Sequence, residues 1–209
     1  MIKVKICGLR NVDDVKLVNE FLPDYVGFVL AESKRKVSVE SLQKLIANLD
    51  TRISAVGVFV DADIQLIEKT LKHGLRVIQL HGNEDPIYLR QLLLLKNNYD
   101  FEIWKAIRID HQTEKEVLEE IESYEITDRF LLDKKSDTSY GGTGESFQWA
   151  NYKNISHKHS IILAGGLNPE NVRKGIDTVK PYCIDVSSGV ETDNKKDRRK
   201  IEDFLQIIT

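Results

Sequence analysis

Cys7, closing Lys5-Ile-Cys-Gly8, and Asp133, closing Phe130-Leu-Leu-Asp133, are the residues best suited by type and setting to move protons. A thiolate is a general base or nucleophile when its pKa lies near or below the usual ~8.5, and Gly8 beside it lets a ligand approach closely. A carboxylate at the end of an apolar strand is costly unless it is hydrogen-bonded, paired or protonated. Kept neutral by a raised pKa, it donates a proton. One base and one acid at a common mouth suit an isomerisation. Each residue also has a plainer reading: Cys7 as a small buried apolar side chain, Asp133 as a cap for the loop that follows.

Two further stretches suggest an anion. Ile161-Ile-Leu-Ala-Gly-Gly-Leu-Asn-Pro-Glu170 and Cys183-Ile-Asp-Val-Ser-Ser-Gly-Val-Glu191 are apolar runs that stop at small residues and then turn helical. Bare backbone N–H groups at such stops form an anion cradle. Gly165 and Gly166 in the first, with Ser187, Ser188 and Gly189 in the second, point to one phosphate held between them, although each taken alone is also a tight turn or a helix cap. Elsewhere, Arg35 in Ser33-Lys-Arg-Lys36 reads as a solvated charge in a basic loop, and His81 in Gln79-Leu-His-Gly82 either orients a substrate oxygen or is structural. Asp61 reads as a helix cap and Arg108 as a solvated or loop-anchoring charge. Asp185 shares a strand face with Cys183 by the period-two rule, with Cys183 in the core.

Strands must position these groups. Runs rich in Val and Ile begin near Ile2, Tyr25, Ile53, Arg76, Glu102, Arg129, Ser160 and Tyr182. Their spacing is that of a strand, loop, helix and loop. Eight such units predict a single-domain (β/α)8 TIM barrel over residues 1–209, with a doubly wound open sheet as the structural alternative. In a barrel, chemistry sits at the C-terminal strand ends, and the loops after strands seven and eight commonly share a phosphate. Helical stripes follow from Val15, Val18 and Leu22, from Ile64, Ile67 and Leu71, and from Ile201, Phe204, Leu205 and Ile208. Asp85-Pro86 and Asn168-Pro169 mark helix starts, and Asp61 is the expected cap of the third helix. The polar, Gly-rich stretch from Asp133 to Trp149 reads as a long loop. The charge run Lys195 to Lys200 reads as the solvated start of the last helix.

Composition sets outer bounds. The 209 residues carry 30 basic and 33 acidic side chains, a net charge of -3 without a block of one sign, so nothing points to nucleic acid or an anionic membrane. A small anionic substrate fits. Two widely spaced cysteines in apolar runs, with no Cys/His set of zinc spacing, predict a reducing compartment and no metal. No apolar run approaches eighteen residues, and a soluble, cytoplasmic protein is expected, with a monomer as the simplest state.

Taken together, Lys5-Ile-Cys-Gly8, Gln79-Leu-His-Gly82, Gly141-Gly-Thr-Gly144, Ala164-Gly-Gly-Leu167 and Asp185-Val-Ser-Ser-Gly-Val-Glu191 resemble the signature segments of the phosphoribosylanthranilate isomerases of tryptophan biosynthesis. They occur in order over essentially the whole chain. The resemblance implies a cofactor-independent Amadori rearrangement, with Cys7 as general base and Asp133 as general acid. It also implies Arg35 against the anthranilate carboxylate, and His81 and Asp185 near the sugar. The chain departs from the family pattern at Lys34, where a proline usually stands between the serine and the arginine, removing a φ constraint from the second loop. Two rivals stay in view: another phosphate-binding barrel isomerase or epimerase, and a barrel that only binds a phosphorylated metabolite.

Overall fold

The computed structural model describes residues 2–134 and 148–208. The Gly141-Gly-Thr-Gly144 segment lies outside them. Eight parallel strands close into a barrel in chain order: β1 (Lys3–Cys7), β2 (Tyr25–Val29), β3 (Ser54–Phe59), β4 (Val77–Leu80), β5 (Glu102–Ile109), β6 (Arg129–Lys134), β7 (Ile161–Leu163) and β8 (Cys183–Val186). Every strand starts within one residue of its expected position. Closure is made by β1 against β8, where Lys5 stands opposite Asp185.

The strands read as nearly continuous apolar runs because both of their faces are covered. One set of alternating residues, including Val56, Trp104, Leu131, Ile162 and Cys183, packs in the barrel interior. The other set, including Phe28, Ile78, Ile103, Leu132 and Ile184, packs with the buried stripes of the outer helices. Those helices are α1 (Val12–Phe21), α2 (Val39–Ala47), α3 (Ile64–Leu71), α4 (Pro86–Leu93), α5 (Glu114–Glu122), α6 (Val172–Val179) and α7 (Arg198–Ile208). Among the described residues between β6 and β7, two short 3-10 turns stand in the helix position and cover the barrel with Trp149, Tyr152 and Ile155.

Four local expectations need correction. Leu22 ends α1 rather than extending its stripe: it is left-handed, at φ 51, donates its N–H to Val18 O, and is 38% exposed. The cap of α3 is Asp63, whose side chain accepts from Gln65 N, while Asp61 accepts from Asn83 N at 2.6 Å and ties two loops together. Helix α6 begins at Val172, not directly after Asn168. Asn168 and Asn171 instead exchange side-chain bonds with each other's backbone N–H at 2.9 and 3.1 Å, placing Pro169 inside a turn that precedes the helix. Finally, the Lys195 to Lys200 run is not simply a solvated helix start. Lys195–Lys196 forms β10, antiparallel to β9 (Glu191–Thr192), and α7 begins only at Arg198.

Candidate active site

A cavity opens at the C-terminal end of the barrel. Cys7, Arg35, His81, Asp133, Asp185, Gly165, Gly166, Ser187 and Ser188 all line it, so nine of the ten expected site residues meet at one place. The tenth, Gly189, lies behind the wall. A Cβ there would overlap the carbonyl oxygen of Leu167, so Gly189 allows the two small-residue loops to touch. Gly165 and Gly166 have φ of +78° and +70°, the left-handed backbone that glycine adopts without cost.

Three buried polar atoms point to a ligand. Gln79 Oε1, His81 Nε2 and Asp185 Oδ1 belong to cavity-lining residues and have no hydrogen-bond partner among the described residues. Such atoms are rare in a folded interior and call for an explanation. His81 Nε2 is 3.4 Å from Asp133 Oδ2, close enough for electrostatic contact but not aligned as a hydrogen bond. On its other side His81 Nδ1 meets Gln79 Nε2 at 3.4 Å. Asp185 is half engaged: its Oδ2 accepts from Lys5 Nζ at 2.8 Å, leaving Oδ1 for a partner in the cavity.

Cys7 lies among charges. Burial pushes its thiol above the ordinary value; Lys5 pulls it down, Asp185 adds to the rise, and Lys196 again pulls it down. Lys5 is fully buried, and although burial opposes its charge, Asp185 and then Cys7 hold the ammonium above its ordinary value. Gly27 on the neighbouring strand leaves room for the sulfur, since a Cβ there would stand 2.5 Å from Sγ.

Arg35 is not a solvated charge. It is 5% exposed, with Nε and Nη2 donating to Glu191 Oε1 and Oε2 at 3.0 and 2.6 Å. Its loop is held without the proline, because Arg35 N donates to Ser33 Oγ and Lys36 N to Ser33 O. Burial acts against the Glu191 carboxylate, but Arg35 and Lys196 together depress it to about 2.

Comparison with known proteins gives the family. The family model for N-(5'-phosphoribosyl)anthranilate isomerase matches residues 4–207. The N-(5'-phosphoribosyl)anthranilate isomerase of Acetivibrio thermocellus is 47% identical over 207 residues, covering 97% of this chain and 93% of that protein. This chain belongs to the N-(5'-phosphoribosyl)anthranilate isomerase family. The crystal structure of the Thermotoga maritima isomerase superposes with a TM-score of 0.86 at 33% identity, covering 99% of this chain and 98% of that one. A phosphoribosyl anthranilate isomerase solved in complex with reduced 1-(o-carboxyphenylamino)-1-deoxyribulose 5-phosphate superposes at 0.83 with 32% identity, covering 99% and 97%. By contrast, a 3-hexulose-6-phosphate synthase at 12% identity and a TM-score of 0.69 shares the fold alone.

Sequence reasoning missed the charges behind the isomerase site. Lys5, Glu191 and Lys196 were read as motif neighbours or solvent-facing groups, and each is buried. Glu84 and Lys105 were not singled out. Lys105 Nζ donates to Glu84 Oε2 at 2.9 Å and to Gly82 O at 2.8 Å, and Glu84 in turn accepts from Asp61 N and Gly82 N. That buried pair braces the loop that follows His81. The available signal was a lysine amid the apolar residues Ile103, Trp104, Ala106 and Ile107 of β5, which burial makes costly unless it is paired.

Proposed function

We propose that this barrel mouth converts N-(5'-phosphoribosyl)anthranilate to 1-(2-carboxyphenylamino)-1-deoxyribulose 5-phosphate, with Cys7 as general base and Asp133 as general acid. One observation carries the assignment: a single cavity holds both proton-transfer groups and both small-residue loops. Asp133 gives a proton to the furanose ring oxygen as the anthranilate nitrogen pushes its lone pair inward, opening the ring to a protonated Schiff base. Burial raises the Cys7 thiol, against the low pKa a base wants, while Lys5 and Lys196 favour its thiolate; that thiolate then takes the proton from C2′, and the resulting enolamine tautomerises to the ketone. The reaction is an isomerisation, so no atom or electron is gained or lost.

The remaining residues bind. Gly165, Gly166, Ser187 and Ser188 surround the 5′-phosphate, and Gly189 keeps their two loops in contact. Binding energy from this non-reacting end positions the reacting carbons. Arg35 meets the anthranilate carboxylate with the donors that Glu191 leaves free. His81 Nε2 and Asp185 Oδ1 take the ribose hydroxyls, which supplies the partners those atoms lack among the described residues.

The test follows the fluorescence of phosphoribosylanthranilate formed in situ from anthranilate and phosphoribosyl pyrophosphate by a transferase. Wild-type protein should consume it rapidly. Cys7→Ser and Asp133→Asn, folded by circular dichroism, should each lose at least ~10²-fold in kcat, the scale of a general acid or base. Full turnover by either variant would remove that residue from its role, and an inactive wild type would remove the reaction.

A further inference from the structure

The β9–β10 hairpin places one ammonium beneath the site. Asp193 and Asn194 turn the chain with φ of 51° and 60°, which brings Lys196 back toward β1. The Lys196 side chain is 1% exposed, and its Nζ uses its three donors on Cys7 O at 2.6 Å, Glu191 Oε1 at 2.8 Å and Ser187 O at 3.1 Å. These acceptors lie on three different parts of the site: the backbone of the base, the carboxylate that grips Arg35, and the second small-residue loop. A buried ammonium is expensive, and an apolar side chain often fills such a space at no loss of stability.

We propose that Lys196 is a positioning residue that fixes the Cys7 base relative to Arg35, the reader of the substrate carboxylate. The inference rests on the roles given to Cys7 and Arg35 above. Glu191 occupies the Nε and one Nη2 donor of Arg35, which sets the edge that the guanidinium turns toward the cavity. Lys196 bonds both that carboxylate and the Cys7 carbonyl, which Ser187 Oγ also meets at 3.1 Å, and so links the base to the carboxylate reader through one side chain. It also places a cation near the thiol. The other charged or titratable groups around Cys7 are Lys5 on its own strand, Asp185 from β8, Glu32 and Arg35 from the loop after β2, Glu191 behind Arg35, and His81 and Asp133 across the mouth.

The experiment uses the full chain as wild type, Lys196→Met, Lys196→Arg and Glu191→Gln. Lys196→Met should lower kcat and raise KM, with a loss of about 10²-fold in kcat/KM, the penalty for misplacing reacting groups. Lys196→Arg should recover part of it. Glu191→Gln should act mainly on KM, because the ammonium keeps its other two bonds. Iodoacetamide labelling of the Cys7 peptide, read by mass spectrometry against pH, should show a higher midpoint in Lys196→Met than in wild type. A folded Lys196→Met with wild-type kcat, KM and labelling midpoint, changed only in melting temperature, would overturn the proposal. Should Lys196→Met fail to fold, an unchanged KM in Glu191→Gln would overturn it and a raised KM would support it. The labelling midpoint is independent of turnover, so an inactive wild type would refute the isomerase roles while the Lys196 effect on Cys7 is still read.

Discussion

At the scale of single residues, the site depends on what surrounds Cys7 as much as on Cys7 itself. Gly27 is the closest case: a Cβ at that position would lie 2.5 Å from Sγ and 3.2 Å from the Cys7 Cα. The obstruction includes backbone, so the thiol or its strand must shift. Gly27→Ala should cost roughly 1–3 kcal/mol as an overpacked core position does, and should lower kcat with it. Urea unfolding and steady-state kinetics on the one variant test both; wild-type kcat with reduced stability would show that the sulfur position is not critical. Of these neighbours the sequence displayed only part. The period-two rule puts Lys5 and Cys7 on the same face of β1, and a lysine facing inward on a buried strand implies an anionic partner. That partner, Asp185, lies 180 residues away, and only the closed barrel brings the two together. Gly27 gave no sign at all, since its importance depends on the strand beside it.

At the scale of elements, the β9–β10 hairpin is where charge and fold are most closely linked. Its second strand belongs to the run from Lys195 to Lys200, which reads as the solvated start of α7 because of its charge. The contrary signal was Asp193-Asn194, a pair suited to the two left-handed positions of a tight hairpin turn. Once the turn forms, Glu191 and Lys196 stand opposite each other and are both buried. The linkage has a definite sign. The ordinary value for Glu191 is 4.5 and its folded value is about 2, so the unfolded chain takes up the proton first as pH falls. A depressed carboxylate therefore stabilises the fold above pH 4.5, and that contribution is lost as pH falls from about 4.5 to about 2. Wild type should be more stable than Glu191→Gln at neutral pH, and the gap should close across that window. Denaturant midpoints for the two proteins at a series of pH values check this, and a gap of constant size down to pH 2 would contradict the anchoring of Glu191.

At the scale of the whole molecule, the barrel gathers its candidate site at one end and a separate polar cluster at the other. Strand starts were legible almost to the residue because the fold demands a full strand, loop, helix and loop for each unit, and apolar runs recur at that interval. The cavity residues were legible because a parallel barrel puts its small and polar residues at C-terminal strand ends. The N-terminal end was not legible, since most of its contacts join residues at the starts of different strands. There Arg129 donates to Glu102 at 2.9 Å and lies 4.2 Å above the Tyr182 ring, Trp104 Nε1 donates to Glu102 at 2.7 Å, and the Tyr25 and Tyr182 hydroxyls meet at 3.0 Å. This cluster closes the floor of the barrel, at the end opposite Cys7. Arg129→Met should therefore lower stability by roughly 1–3 kcal/mol, through a charged hydrogen bond and a cation–π contact, while kcat and KM stay at wild-type values. Lys196→Met should show the opposite emphasis, and with the two positions at opposite ends of the barrel the losses in the double variant should add. Melting temperature and kcat/KM for the two single variants and the double variant decide the matter: a fall in turnover on Arg129→Met alone would mean that the floor and the mouth of this barrel are coupled.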